Sequence, residues 1–144
     1  MTEELAIMKG MKTILLVEDD RVDAMTVKRA LKTIHVNNPV AVVGNGEEGL
    51  AWLRDTNNEQ PCIILLDLNM PRMNGIEFLN VIKQEEPLRT IPVVVLTTSK
   101  DELDRARSFN LGVAGYMVKP VDYLQFVEVI RTINLYWTLS ELPT

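Results

Sequence analysis

The chain has 144 residues, of which 47% are hydrophobic and 24% charged, a balance that suits one globular domain with a modest core. A net charge of −5 disfavours nucleic acid as a direct partner, because phosphate backbones attract Lys and Arg. No apolar run approaches the roughly 18 residues that cross a bilayer, and the acidic start Met1-Thr2-Glu3-Glu4-Leu5 is unlike a signal peptide. A cytoplasmic protein with no membrane contact is expected.

Residues 1–11 show no period and are expected to form a flexible tail. The first strand is Ile14-Leu15-Leu16-Val17, ending in Glu18-Asp19-Asp20. Ala24, Val27, Leu31 and Ile34 then share one face at helical spacing, and Asn37-Asn38-Pro39 breaks that helix. His35 lies at its end and is taken as a helix-terminal polar residue. Val40–Val43 is the second strand. Asn45 is placed to cap a second helix carrying Leu50, Trp52 and Leu53, with Glu48 reaching back to its start.

Ile63-Ile64-Leu65-Leu66 runs straight into Asp67. A short continuous apolar run is a strand buried on both faces, with no room for charge along its length. Asp67 therefore falls where that strand ends. Cys62, the single cysteine, can form no internal disulfide and is taken as a small buried hydrophobe. Pro71 and Gly75 mark a loop before a third helix carrying Ile76, Phe78, Leu79 and Ile82.

The fourth strand runs from Ile91 to Thr97, with Pro92 at its beginning, where a missing N–H does least harm. Ser99-Lys100-Asp101-Glu102 is a capping box for a fourth helix that ends at Gly112. Ala114–Val118 is the fifth strand, followed by Lys119-Pro120, and a fifth helix opens near Asp122 and runs through Trp137. Alternation of this kind implies an α/β fold: a doubly wound (βα)5 sandwich with right-handed crossovers. The expected sheet is five-stranded, parallel and flavodoxin-like, in the order 2-1-3-4-5 with its switch point between the first and third strands.

All carboxyl ends of a parallel sheet open on one edge. Glu18, Asp19 and Asp67 would meet there, opposite Thr97 and Lys119. Carboxylates that close repel one another, and a hard cation such as Mg²⁺ relieves the conflict. An aspartate in this setting can be a nucleophile toward phosphorus. Mg²⁺ would bridge a carboxylate and a phosphoryl oxygen, Lys119 would neutralise a second oxygen, and Thr97 would donate to a third.

The segments Val-Glu-Asp at 17–19, Leu-Asp-Leu-Asn-Met-Pro-Arg-Met-Asn-Gly at 66–75, Leu-Thr-Thr at 96–98 and Gly-Tyr-Met-Val-Lys-Pro at 115–120 together resemble the receiver domain of two-component response regulators, the CheY-like family. The resemblance covers residues 12–133. It implies that Asp67 accepts phosphate from a sensor histidine kinase. It implies Mg²⁺ ligation by Asp19, Asp67 and the backbone carbonyl of Asn69, with Glu18 assisting, partly through water. It further implies that Thr97 and Lys119 contact the phosphoryl group, that Tyr116 is an aromatic switch, and that Lys119-Pro120 is a cis peptide. Glu18 stands where many members have Asp.

The end of the chain soon after the fifth helix suggests a stand-alone receiver. Residues 134–144 resemble the tail of the small response regulators paired with bacterial phytochromes, which would make such a phytochrome the kinase. The last helix carries Tyr123, Leu124, Phe126, Val127, Val129, Ile130, Ile133, Leu135, Tyr136 and Trp137 on more than one face. Packing on a sheet needs one stripe, so the excess suggests a homodimer through this helix and its extension.

Phosphorylation would then alter the surface formed by the fourth helix, the fifth strand and the fifth helix. Two other classes fit the pattern less well. An aspartate-nucleophile phosphatase would carry its nucleophile after the first strand, where Glu18 is a poor match. A binding module that keeps only the fold would not need the full acidic, Thr and Lys set.

Overall fold

A computed structural model describes residues 12–68, 73–97 and 112–133, with side chains of the last helix described through Glu128. The elements are β1 (Ile14–Val17), α1 (Arg21–Thr33), β2 (Val40–Val43), α2 (Gly46–Arg54), β3 (Ile63–Asp67), α3 (Gly75–Ile82), a short 3-10 turn (Leu88–Thr90), β4 (Val93–Thr97), β5 (Gly115–Val118) and α4 (Tyr123–Ile133). The helix expected over residues 99–111 lies outside the described residues, as do the tail 1–11 and the extension 134–144.

The five strands form one sheet in the order β2-β1-β3-β4-β5, and every pairing is parallel. The three inner strands are buried along their whole length, whereas β2 and β5 at the edges are partly open. The continuous apolar runs follow from this, because an inner strand of such a sheet has no polar face. Side chains then sort by strand period. Ile14, Leu16, Ile63, Leu65, Val94, Leu96 and Met117 face Ala24, Val27 and Leu31 of α1 and Phe126 and Val127 of α4. Leu15, Val17, Ile64, Leu66 and Val93 face Leu50 of α2 and Phe78, Leu79 and Ile82 of α3.

The helix ends follow from local chemistry. Asp20 caps α1 by accepting from the Asp23 N–H at 3.0 Å. At its other end His35 adopts φ 67°, with His35 N–H bonded to Lys32 O and Val36 N–H to Leu31 O. This is a Schellman close with a histidine in the position glycine commonly fills, and Val36 is buried beneath it. Asn45 caps α2, accepting from Glu48 N–H at 2.9 Å. Glu48 reaches back to the Asn45 side chain and to Gly44 N–H, one residue earlier than a standard capping box requires. Asn74 and Glu77 form a complete capping box on α3. Pro92 loses no bond at the start of β4, and its carbonyl accepts from Ile64 N–H.

Two expectations need correction. Ile76 faces outward at 37% exposure, because it sits two positions from Phe78 on α3 and so off the buried stripe. Cys62 is half-buried, just before β3 begins, though burial still pushes its thiol up to about 11. The apolar residues of α4 do lie on more than one face: Phe126 and Val127 are in the core, while Tyr123 and Leu124 are exposed.

Gly75 packs closely against the backbone at Asp67 and Leu68. A Cβ there would lie 2.7 Å from Leu68 Cα and 2.8 Å from Asp67 O, both backbone atoms that cannot swing aside. Gly75→Ala is therefore expected to cost about 1–3 kcal/mol by overpacking. Chemical denaturation should register the loss, and a variant as stable as the parent would contradict the close approach.

Candidate functional site

The carboxyl edge of the sheet gathers the residues that the strand ends supply. Val17 pairs in register with Leu66, so Glu18 and Asp67 leave their strands side by side. Leu16, Leu65 and Met117 face α1 and α4, and two residues further on the same alternation carries Glu18, Asp67 and Lys119 to that side. Glu18 is 2% exposed and Asp67 8%, while Asp19 is open to solvent. One carboxylate oxygen from each of the three lies within 4.8 Å of the others. The donors are all hard oxygens, two buried and one wet. Such a set fits a hard divalent cation that keeps part of its water shell.

Lys119 crosses this edge. Its ammonium donates to Glu18 Oε1 and, at 3.2 Å, to Asp23 Oδ2 on the first turn of α1. Burial lowers the Lys119 pKa. The hydrogen bond to Glu18, the charges of Asp67 and Glu18, and the hydrogen bond to Asp23 together outweigh burial, so the net direction is upward. The ammonium is the counter-charge that the carboxylates require.

Thr97 ends β4 and is buried. Its carbonyl accepts from Lys119 N–H at 2.7 Å, which locks the last turn of β5 to the end of β4. The Lys119–Pro120 peptide is cis, as expected from the resemblance. Tyr116 stands opposite Val95 in register and packs half-buried against Leu68 and Val95. Leu68 directly follows Asp67, so the cluster Tyr116 packs against includes the neighbour of the phosphoacceptor candidate. Asn69 lies outside the described residues.

Two contributors escape a reading of the sequence. Asp23 looks like an ordinary first-turn acid, and only the fold brings it to Lys119. Gln125 is one position from the buried Phe126, yet its amide both accepts from Val118 N–H at 3.0 Å and donates to Val118 O at 3.2 Å. It thereby pairs the residue before Lys119 from the helix side. The signal available in advance was its place three residues after Asp122, whose Oδ1 accepts from Gln125 N–H.

The response regulator receiver domain family matches residues 14–131 of this chain. The chain belongs to the response regulator receiver family. It is 38% identical over 130 residues to the response regulator Rcp1 of Synechocystis sp., covering 88% of each protein. The structure of the bacteriophytochrome response regulator AtBRR is similar at TM-score 0.82 and 37% identity, over 92% of this chain and 99% of that one. The Mn²⁺-bound form of Rcp1 is similar at TM-score 0.67 and 37% identity, over 92% and 97% of the two chains. The phosphorylated cyanobacterial phytochrome response regulator RcpA is similar at TM-score 0.69 and 38% identity, over 89% and 94%.

For this receiver, the raised Lys119 pKa has a sign that can be tested. A group held charged in the fold contributes stability fully below its unfolded value, here 10.5, and loses it as pH rises through the raised folded value. Wild type is therefore expected to melt above Lys119→Met at neutral pH, with the gap narrowing once pH passes 10.5. Thermal melts across that range provide the check, and a gap independent of pH would deny the ammonium this role.

Proposed function

We propose that this receiver takes a phosphoryl group on Asp67 from a sensor histidine kinase in a Mg²⁺-dependent reaction. The observation that carries the reading is Asp67 at the end of β3 with Glu18 and Asp19 clustered around it and Lys119 bonded to Glu18. Asp19, Asp67 and the Asn69 carbonyl would hold Mg²⁺, with Glu18 assisting. That ion would supply charge neutralisation for the incoming phosphoryl group.

An Asp67 carboxylate oxygen attacks phosphorus, the new P–O bond forms, and the bond to the donor's imidazole nitrogen breaks with its electron pair leaving on the imidazole. Burial of Asp67 fixes the direction of its approach and limits competing water. Lys119 and Thr97 then hold phosphoryl oxygens. The protein acts on no other substrate; it catalyses only its own phosphotransfer and dephosphorylation.

The change is read out through Tyr116, which packs on Leu68 and Val95. It would move the surface formed by the helix expected over residues 99–111, β5 and α4. Moving such a switch from mostly inactive to mostly active takes about 5 kcal/mol of differential stabilisation, within reach of a few charge-assisted bonds to phosphoryl oxygens. The names of AtBRR and RcpA support a bacterial phytochrome as the kinase, and the Mn²⁺-bound form of Rcp1 supports a divalent ion. No helix among the described residues is long and apolar enough to cross a membrane.

Mass spectrometry after incubation with acetyl phosphate and Mg²⁺ is expected to find one added phosphoryl group, absent in Asp67→Asn. Labelling that survives Asp67→Asn would sink the assignment. The receiver is also proposed to form a homodimer through α4 and residues 134–144. Tyr123 and Leu124, exposed on α4, support it. Light scattering should find a dimer in the full chain and a monomer in Trp137→Glu. A full chain that stays monomeric at high micromolar concentration, with and without phosphodonor, removes the dimer.

A further inference from the structure

We infer that Asp23 is a positioning residue for Lys119, keeping the ammonium at the mouth of the site when Glu18 is engaged by a cation. The inference rests on the Mg²⁺-dependent reading of the site. A lysine ammonium has three donors and no acceptor. Here one goes to Glu18 and one to Asp23. Glu18 also belongs to the carboxylate cluster, whereas Asp23 does not. A Glu18 oxygen cannot be given fully to both Lys119 and a divalent cation. Asp23 is a partner that Lys119 can keep without competing for that cation.

The geometry suits such a tether. The backbone of Asp23 is fixed in the first turn of α1 by its bond to Asp20 Oδ1 at 3.0 Å. Its carboxylate is 40% exposed, against 1% for Glu18, so it can follow the ammonium without being stripped of water. Lys119 itself is only 9% exposed and has little room to swing elsewhere. Without Asp23, the ammonium would rest wholly on Glu18 and oppose cation entry. With it, Lys119 stays close enough to receive a phosphoryl oxygen. Asp23→Asn removes the charge at nearly constant volume and leaves the cap intact, because that bond uses the backbone N–H.

The test is Mg²⁺ titration by calorimetry of wild type, Asp23→Asn, Lys119→Met and the double variant. Asp23→Asn is expected to weaken Mg²⁺ binding about three- to fivefold in the wild-type background. In the Lys119→Met background it should weaken it less than about twofold, the remainder being through-space charge. Asp23→Glu should restore most of the affinity.

Equal weakening in both backgrounds, or none in either, overturns the inference. A wild type that binds no Mg²⁺ overturns the metal-dependent reading beneath it, and the two failures are thus distinct. A second measurement needs no change at Lys119. Side-chain NMR of Lys119 in saturating Mg²⁺ should find an ordered ammonium in wild type and a motionally averaged one in Asp23→Asn. Equal order in the two proteins also overturns it.

Discussion

Carboxylates at adjacent strand ends repel one another, and the ammonium of Lys119 is what lets them stand together. The sheet forces the crowding. β1 and β3 are buried along their whole length, so charge is tolerated only past their last apolar residues, Val17 and Leu66. Lys119 likewise follows the last residue of β5, Val118. A parallel sheet thus concentrates its charged residues on one edge, where their mutual energies are large because Glu18 and Lys119 are barely hydrated. Removing the cation from such a group is more damaging than never having built the pair, since it strands a buried carboxylate.

Under the proposed function, this arrangement would connect chemistry at Asp67 to a more distant surface. The backbone of Lys119 is tied to Thr97 O, and the preceding Val118 is tied at both its N–H and C=O to Gln125 of α4. Tyr116 packs on Leu68, the neighbour of Asp67. On the proposed reading, a displacement of Lys119 toward a new anion would pull on β4, β5 and α4 together. Packed apolar groups do not deform continuously, so a small shift tends to resolve into one of two packings. Such a route would use a short set of contacts at the edge of the sheet.

The fold was legible because its strongest signals are local. Four strands announce themselves as unbroken apolar runs, and Asp20 and Asn45 stand where caps belong. The site was legible because strand ends converge in any parallel sheet, whatever their loops do. What escaped was set by tertiary placement. Asp23 has the helical spacing of a solvated acid and becomes a partner of Lys119 only because β5 lies across from α1, 96 residues away in sequence. The capping box of Asn74 and Glu77 was overshadowed by Pro71 and Gly75, which already marked a turn. Hydrophobicity alone places Ile76 and Cys62 in the interior, but position along the helix and the strand decides burial. Gly75 gives no sequence signal of its crowding, since only the packed structure shows the Asp67 carbonyl beneath it.

The glutamate at position 18 is consistent with this reading of Lys119. Its carboxylate accepts from Asp20 N–H at 3.4 Å through Oε2 while Oε1 takes the ammonium. One side chain thereby joins the start of α1 to the end of β5. An aspartate, one methylene shorter, would reach less far from β1. The longer side chain lets the carboxylate lean toward Lys119 or toward the cluster without moving the strand that carries it. Asp23 becomes useful for the same reason: a Glu18 free to change partner leaves Lys119 in need of a second anchor. The two acids, on β1's end and on α1's first turn, are therefore best understood as one device sharing a single ammonium.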